Sequence, residues 1–309
     1  MAVRYACFNQ KGGVGKSTAA IDFIAALADT DPEGTYLFLD FDAQGHGTEG
    51  IGLKESYMRI DGACLYQGIM DLENVEVAQL IEELPHERFF ALPGNVQMMV
   101  VEEELGGSAR NAEGRLSDLL DELDEAFTAV VVDSPSYFGH FTDNILRAIG
   151  VPYRLRKKGD PTSKEFFPKR PEHIHNGLIV PVQAEQTSVR ALELLINQIQ
   201  LIGTELKVEV NIWAILPNLV EQGRLGKGIL ADFRATLPNL MTPFDIPKRV
   251  VIREAYSEGR SIFTFTPKTP EGRVDHAKMK DVMELRDLFR QLAELVKERS
   301  GLNVTRSNV

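Results

Sequence analysis

Phe8-Asn9-Gln10-Lys11-Gly12-Gly13-Val14-Gly15-Lys16-Ser17-Thr18 is the stretch on which the reading of the fold turns. An apolar run, Val3 to Phe8, precedes it, and Ala19 to Leu27 follows with the composition of a helix. Strand, glycine loop, Lys-Ser/Thr and helix are the parts of a phosphate cradle. Glycines let backbone N–H groups turn inward, and the helix N-terminus adds positive dipole where phosphate oxygens sit. In that geometry Gly12, Gly13, Val14, Gly15, Lys16, Ser17 and Thr18 surround the phosphates. Lys16 reaches the β- and γ-phosphates, and the Ser17 hydroxyl ligates Mg²⁺. The spacing is that of a Walker A box in which Gln10 stands at the first glycine position. The stretch predicts a nucleoside-triphosphate site.

Working outward, Tyr36 to Asp42 reads as a buried strand ending in carboxylates, with a glycine-rich loop, Ala43 to Thr48, after it. A short helix is expected near Val75 to Leu84, a strand over Phe89–Leu92, and a sheet-packing helix through Leu116, Leu119, Leu120, Leu123 and Phe127. Ala129 to Asp133 is a second apolar run ending in a carboxylate, followed by Ser134 to Gly139. An acid at such a strand end orients Mg²⁺ or its water. Strands are expected at Leu178–Val182 and Val208–Leu216, and helices at Val189–Ile202, Leu225–Leu237 and Met283–Val296. This alternation predicts an α/β fold, a mostly parallel twisted sheet with helices on both faces. Such sheets bind ligands at the carboxyl ends of their strands, and residues 9–17, 40–45 and 133–139 all fall at such ends. One domain is expected over residues 1–300, with a polar tail at 301–309 in which Asn303-Val304-Thr305 matches a glycosylation sequon.

Residues 150–176 break the pattern. They hold Pro152, Pro161, Pro168 and Pro171 with little periodicity and read as a long surface loop or partly ordered insertion. Seven basic residues there (Arg154, Arg156, Lys157, Lys158, Lys164, Lys169, Arg170) face three acidic ones, in a chain whose net charge is −11. The acidic balance argues against a generic nucleic-acid coat. No run of about 18 apolar residues suggests a membrane span, and Met1 leads straight into the first strand, leaving no room for a signal peptide. Cys7 and Cys64 suggest neither a disulfide framework nor a metal site, and a cytoplasmic chain is expected.

Lys11 to Ser17 resembles the deviant Walker A box of the ParA/MinD class of ATPases, marked by the extra lysine at its start. Asn9-Gln10 and Asp40-Phe41-Asp42-Ala43-Gln44-Gly45 are similar to the ParA/Soj partitioning branch, with Ala43 where that branch usually has proline. Ile179 to Glu185, and Ile246 to Arg249 with Glu254, Ala255, Gly259 and Ile262, resemble its later motifs. The resemblance implies a P-loop, Mg²⁺-dependent ATPase that binds ATP and ADP and pairs as a homodimer on ATP. It implies that Lys11 reaches the partner subunit's nucleotide, that Asp42 positions the attacking water, and that Asp133 holds the metal through water. Asn218 and Pro247 are candidates for the base pocket. Asp40 is either a second metal-side carboxylate or a structural residue, and Lys11 either this bridge or a solvated loop lysine.

The same branch implies non-specific DNA binding by the ATP dimer, a ParB-like activating partner and a nucleoid-associated cytoplasmic location. Candidate DNA contacts are Arg224, Lys227, Arg234, Arg249, Arg253 and Arg260, although Val251 stands where the branch usually has arginine. The basic insertion either supplies phosphate contacts of its own or is a solvated loop. Competing readings are a MinD-like membrane-surface ATPase and a P-loop metabolic kinase or synthetase. The first wants a basic amphipathic C-terminal helix, and Ser300 to Val309 is too polar for one. A metal-cluster carrier lacks its cysteines beyond Cys64, and no guanine signature is present.

Overall fold

A computed structural model describes residues 2–60, 62–107, 111–183, 189–221 and 224–302, with only the backbone at Arg224, Leu225 and Lys227. Its centre is a seven-stranded sheet made from β1 (Val3–Cys7), β2 (Tyr36–Asp40), β3 (Glu82–Glu83), β4 (Phe90–Leu92), β5 (Ala129–Asp133), β8 (Gly177–Val182) and β10 (Ile212–Pro217). The order is β10-β8-β1-β5-β2-β4-β3, parallel throughout except that β3 runs against β4 at the edge. β6 (Val151–Leu155), β7 (Lys164–Phe166) and β9 (Val208–Glu209) form a second, antiparallel sheet.

The central strands are apolar on both faces, as a sheet covered on both sides requires. Alternate side chains feed two cores: Ala6, Leu37, Leu39 and Val130 enter one, Tyr5, Cys7, Phe38 and Val131 the other. The second core is closed by α1 (Lys16–Thr30), α10 (Val250–Ser257) and α11 (His276–Arg299). α4 (Leu65–Met70), α5 (Met98–Gly107), α6 (Arg115–Leu123), α7 (His140–Ile149), α8 (Val189–Glu205) and α9 (Arg224–Thr236) supply the first. Two short helices, α2 (His46–Gly50) and α3 (Lys54–Tyr57), follow β2. The parallel sheet with helices on both faces is the fold expected from the alternating pattern.

Several local expectations need correction. Val75–Leu84 holds one short 3₁₀ turn, Val77–Leu80, and then β3, with another such turn, Leu72–Asn74, just before it. Val208–Leu216 is split between β9 and β10, which belong to different sheets. The insertion is no loop: Tyr153 pairs with Phe166 and Leu155 with Lys164, and the hairpin roots on β9 through Val151 and Pro152. Burial of Tyr153 stabilises it without any helical or strand periodicity in the sequence. Its position follows from the helices. α7 and α8 each return the chain to the amino end of the parallel strands, so β6, β7 and β9 lie there. The tail from Asn303, with its sequon, and Ala184-Glu185 of the third resemblance motif lie outside the described residues.

Candidate functional site

The cradle is built on left-handed backbone. Gly13 has φ 76° and Gly15 φ 78°, values a side chain resists. At Gly15 the crowding is also steric, because a Cβ would sit 2.6 Å from Asn218 Nδ2. At Gly12 and Gly13 a Cβ would meet nothing within 4 Å, so the loop faces open space, as a phosphate seat must. Two asparagines hold it. Asn9 donates to Pro181 O (2.7 Å) and accepts from Lys11 N–H (2.9 Å). Asn218 donates to Val14 O (2.9 Å) and Gly15 O (3.3 Å). Asn218 therefore braces the loop with the amide that a base contact would use. Pro247 lies beside it, because residues 246–248 pair with 217–220 along that edge.

Lys16 opens α1 and is buried, its Nζ 2.5 Å from Ser136 Oγ. Burial lowers its pKa, against the opposing pull of Asp133 and Asp42. Asp133 ends β5 directly beside Asp40 of β2 and Cys7 of β1. It is fully buried, and neither carboxylate oxygen finds a hydrogen-bond partner. Burial pushes its pKa well above the carboxylate range and the Asp40 charge adds to that, while Ser17 and Lys16 pull it down. A buried carboxylate without donors is costly unless something cationic occupies the space before it. The hard-oxygen set of Ser17 hydroxyl and Asp133 carboxylate fits a water-bearing Mg²⁺.

Asp40 and Asp42 differ sharply. Asp40 Oδ2 accepts from Thr48 N–H (2.6 Å) and Thr48 Oγ1–H (2.7 Å), and Oδ1 from Asp42 N–H (3.2 Å). Burial raises its pKa to about 6, partly offset by those bonds. Its oxygens shape the loop. Asp42, two residues past the strand end, lines the open cleft and receives Gln44 N–H at 3.0 Å. That cleft, about 480 Å³, is bounded by Gly12, Gly13, Lys16, Ser17, Asp42 and Tyr256 among others. Lys11 is exposed at its rim, next to a second hollow of about 430 Å³ against α8.

The structure thus brings Lys16, Ser17, Thr18, Asp42 and Asp133 to one end of the sheet, with Lys11 on the lip. It does not gather the expected DNA contacts. Arg249 is paired with Asp281 (3.2 Å) and Glu284 (2.9 Å), and Arg234 with Asp245 (2.5 Å). Arg253 is exposed and Arg260 half-buried, neither with an ion-pair partner among the described residues. Arg224 and Lys227 lie at the start of α9, their side chains outside the described set.

Three residues of the site went unrecognised in the sequence. Ser136 holds Lys16. Glu102 of α5 caps α7, accepting from His140 N–H (2.6 Å) and Phe141 N–H (3.2 Å), and so anchors the loop that carries Ser136. Tyr256 donates to His46 O at 2.7 Å, tying α10 to the loop after Asp42. Only Ser136, three residues past a strand-end acid, carried a local signal.

Comparison with known proteins agrees with this geometry. A family model described as an AAA domain matches residues 4–150. The sporulation initiation inhibitor protein Soj of Bacillus subtilis is 24% identical over 262 residues, 84% of this chain and 90% of Soj. An ATP complex of McdA from Cyanothece superposes with TM-score 0.69 at 19% identity, covering 97% of this chain and 96% of that one. Cobyrinic acid a,c-diamide synthase from Mycobacterium smegmatis, solved with an ATP analogue and magnesium, gives 0.64 at 23% identity over 84% and 92%. These two structural likenesses speak for the fold.

Proposed function

We propose that this chain, which belongs to the ParA/Soj-type ATPases, is an Mg²⁺-dependent ATP hydrolase that works as a partitioning switch. Its ATP-bound form pairs as a homodimer and holds DNA without sequence preference. A partner-stimulated hydrolysis step releases it. The single observation that carries the ATPase reading is the unpartnered, buried Asp133 facing Ser17 and Lys16 under an open glycine loop.

The chain's residues divide the work as phosphoryl transfer demands, by positioning and charge rather than covalent chemistry. Backbone amides of residues 12–18 bind the phosphates. Lys16 leaves Ser136 for the β- and γ-phosphate oxygens. Ser17 directly and Asp133 through water would hold Mg²⁺, which would supply Lewis-acid charge at the phosphates. Asp42, reaching into the cleft from a loop braced by Asp40 and Thr48, orients the attacking water. Lys11 on the lip completes the partner's site, so hydrolysis requires the dimer.

The test compares DNA retention with ATP, with ADP and without nucleotide, at a stated salt concentration. ATP-selective retention that lasts longer in Asp42→Ala supports the switch. Equal retention with ATP and ADP overturns it. ATP turnover that responds to a metabolite and ignores DNA points to a synthetase instead.

A further inference from the structure

We propose that the β6–β7 hairpin is a second DNA contact, one that takes duplex DNA by its phosphates whether or not nucleotide is bound. The argument rests on how the hairpin's charges are placed. Its root is neutralised. Lys164 meets Glu209 at 2.5 Å and lies 4.5 Å above the Tyr153 ring. Lys169 binds Asp121 of α6, and Arg170 lies 3.9 Å from both Asp124 and Glu125. The tip is not neutralised. Arg154 (72% exposed) and Arg156 (69%) share a single carboxylate, Glu165, and Lys157 and Lys158 are exposed with no ion-pair partner among the described residues.

The tip is also ordered before any ligand arrives. Gly159 has φ 83°, Asp160 N–H donates to Lys157 O (3.1 Å), and Arg156 N–H donates to Ser163 O (2.9 Å). Lys157 N–H donates to Ser163 Oγ (3.0 Å). Four cations, set against the carboxylates of Glu165 and Asp160, thus stand on a two-stranded ribbon projecting from a body that is otherwise strongly acidic. A polyanion is repelled by that body and attracted here. Duplex DNA, with about one charge per 1.7 Å, gains most from a short strip of cations through counterion release.

The contact is independent of the nucleotide because the cleft lies at the far end of the sheet. β8 runs six residues from the hairpin end to the cleft end, about 20 Å at roughly 3.3 Å per residue. The hairpin's clip to α6, Lys169 on Asp121, shares no residue with the lining of the cleft. Hydrolysis then ends the ATP-dependent hold and leaves only this salt-sensitive contact, so the two can fail separately.

The experiment measures anisotropy of a short random-sequence duplex with the full chain, without nucleotide, between about 50 and about 200 mM salt. Binding at low salt that falls at least tenfold across this range is expected. Lys157→Gln with Lys158→Gln should weaken it about fivefold or more and flatten the log–log salt slope by about 1.8, two phosphates at about 0.9 each. Lys157→Arg with Lys158→Arg should restore it, which separates charge from folding. The ATP-dependent increment should survive the Gln pair, whereas Arg253→Gln with Arg260→Gln should leave nucleotide-free binding intact. Absence of nucleotide-free binding, a Gln pair that binds like the wild type, or equal competition by polyglutamate overturns the proposal. So does tighter binding of a single strand, whose bases would stack on the half-exposed Phe166 and Phe167.

Discussion

Asp124 and Asp133 are both buried aspartates, one at each end of the central sheet, and they have opposite fates. Asp124 follows α6 at the amino end and receives Arg4 Nη2 at 2.9 Å and His173 Nε2 at 3.0 Å. Burial pushes its pKa up, but the bonds from His173 and Arg4 outweigh that and hold the carboxyl below its usual range. Asp133 has no such donors, and its pKa goes the other way. Burial is therefore common to both carboxylates. What separates them is whether the chain itself completes the partnership. At the amino end the fold closes its own circuit; at the carboxyl end it leaves one open, beneath Lys16 and Ser17, which line the cleft.

The sharpest way to break this contrast is to open the closed circuit. Arg4→Met leaves Asp121 and Asp124 without their shared cation. A cost of about 3–5 kcal/mol is expected, as for removing one partner of a buried ion pair, read from denaturant unfolding. A loss below about 1 kcal/mol would mean that the Arg4 network is not the paired counterpart of Asp133.

Lys16→Ala makes the reverse test at the cleft. Lys16 is buried with Ser136 as its described hydrogen-bond partner, so its loss should leave unfolding stability nearly unchanged. Nucleotide affinity should fall about 100-fold, or about 2.7 kcal/mol, measured by titration calorimetry. Unchanged nucleotide affinity would remove the site from the glycine loop altogether.

Asp22 of α1 is an intermediate case. It is buried and accepts one backbone bond, from Ile262 N–H at 2.8 Å, while Glu87 lies close enough to repel it. Burial raises its pKa to about 7, with the Glu87 charge adding to that against the Ile262 bond. The folded chain thus keeps a proton that the unfolded chain releases near pH 4. The resulting stability is full below about pH 4 and is lost as pH rises to about 7. Asp22→Asn keeps the acceptor and removes the charge, so it should stabilise by up to about 4 kcal/mol at pH 7.5, three units at about 1.36 kcal/mol each, with the gain vanishing below pH 4. A gain independent of pH would show that Asp22 is not the titrating group.

These contrasts also mark what was legible beforehand. The cradle, the acids Asp42 and Asp133 and the strands that end at them are written in contiguous stretches, where spacing alone carries the geometry. The partners are not. Arg4 meets Asp124 across 120 residues, Asn218 meets Val14 across 204, and Tyr256 meets His46 across 210. No local period encodes such a pairing. The hairpin was hidden for a related reason: four prolines obscure its strands, and a buried Tyr153 with clips to α6 and β9 holds it in place.

Asp133→Asn should also disturb the fold little, and it bears most directly on the open circuit. Burial and the neighbouring Asp40 charge raise its pKa, so the fold itself disfavours a charge on this carboxyl. Asparagine is then a near-isosteric neutral replacement, and unfolding stability should shift by no more than about 1 kcal/mol, in contrast to Arg4→Met. The function should not be so tolerant. An amide cannot supply the negative charge that draws in the cation, so nucleotide binding should lose its dependence on Mg²⁺ while Mg²⁺-free binding stays close to wild type. A variant that is strongly destabilised, or one whose binding still responds fully to Mg²⁺, would place Asp133 with Asp124 among the residues that serve only the fold.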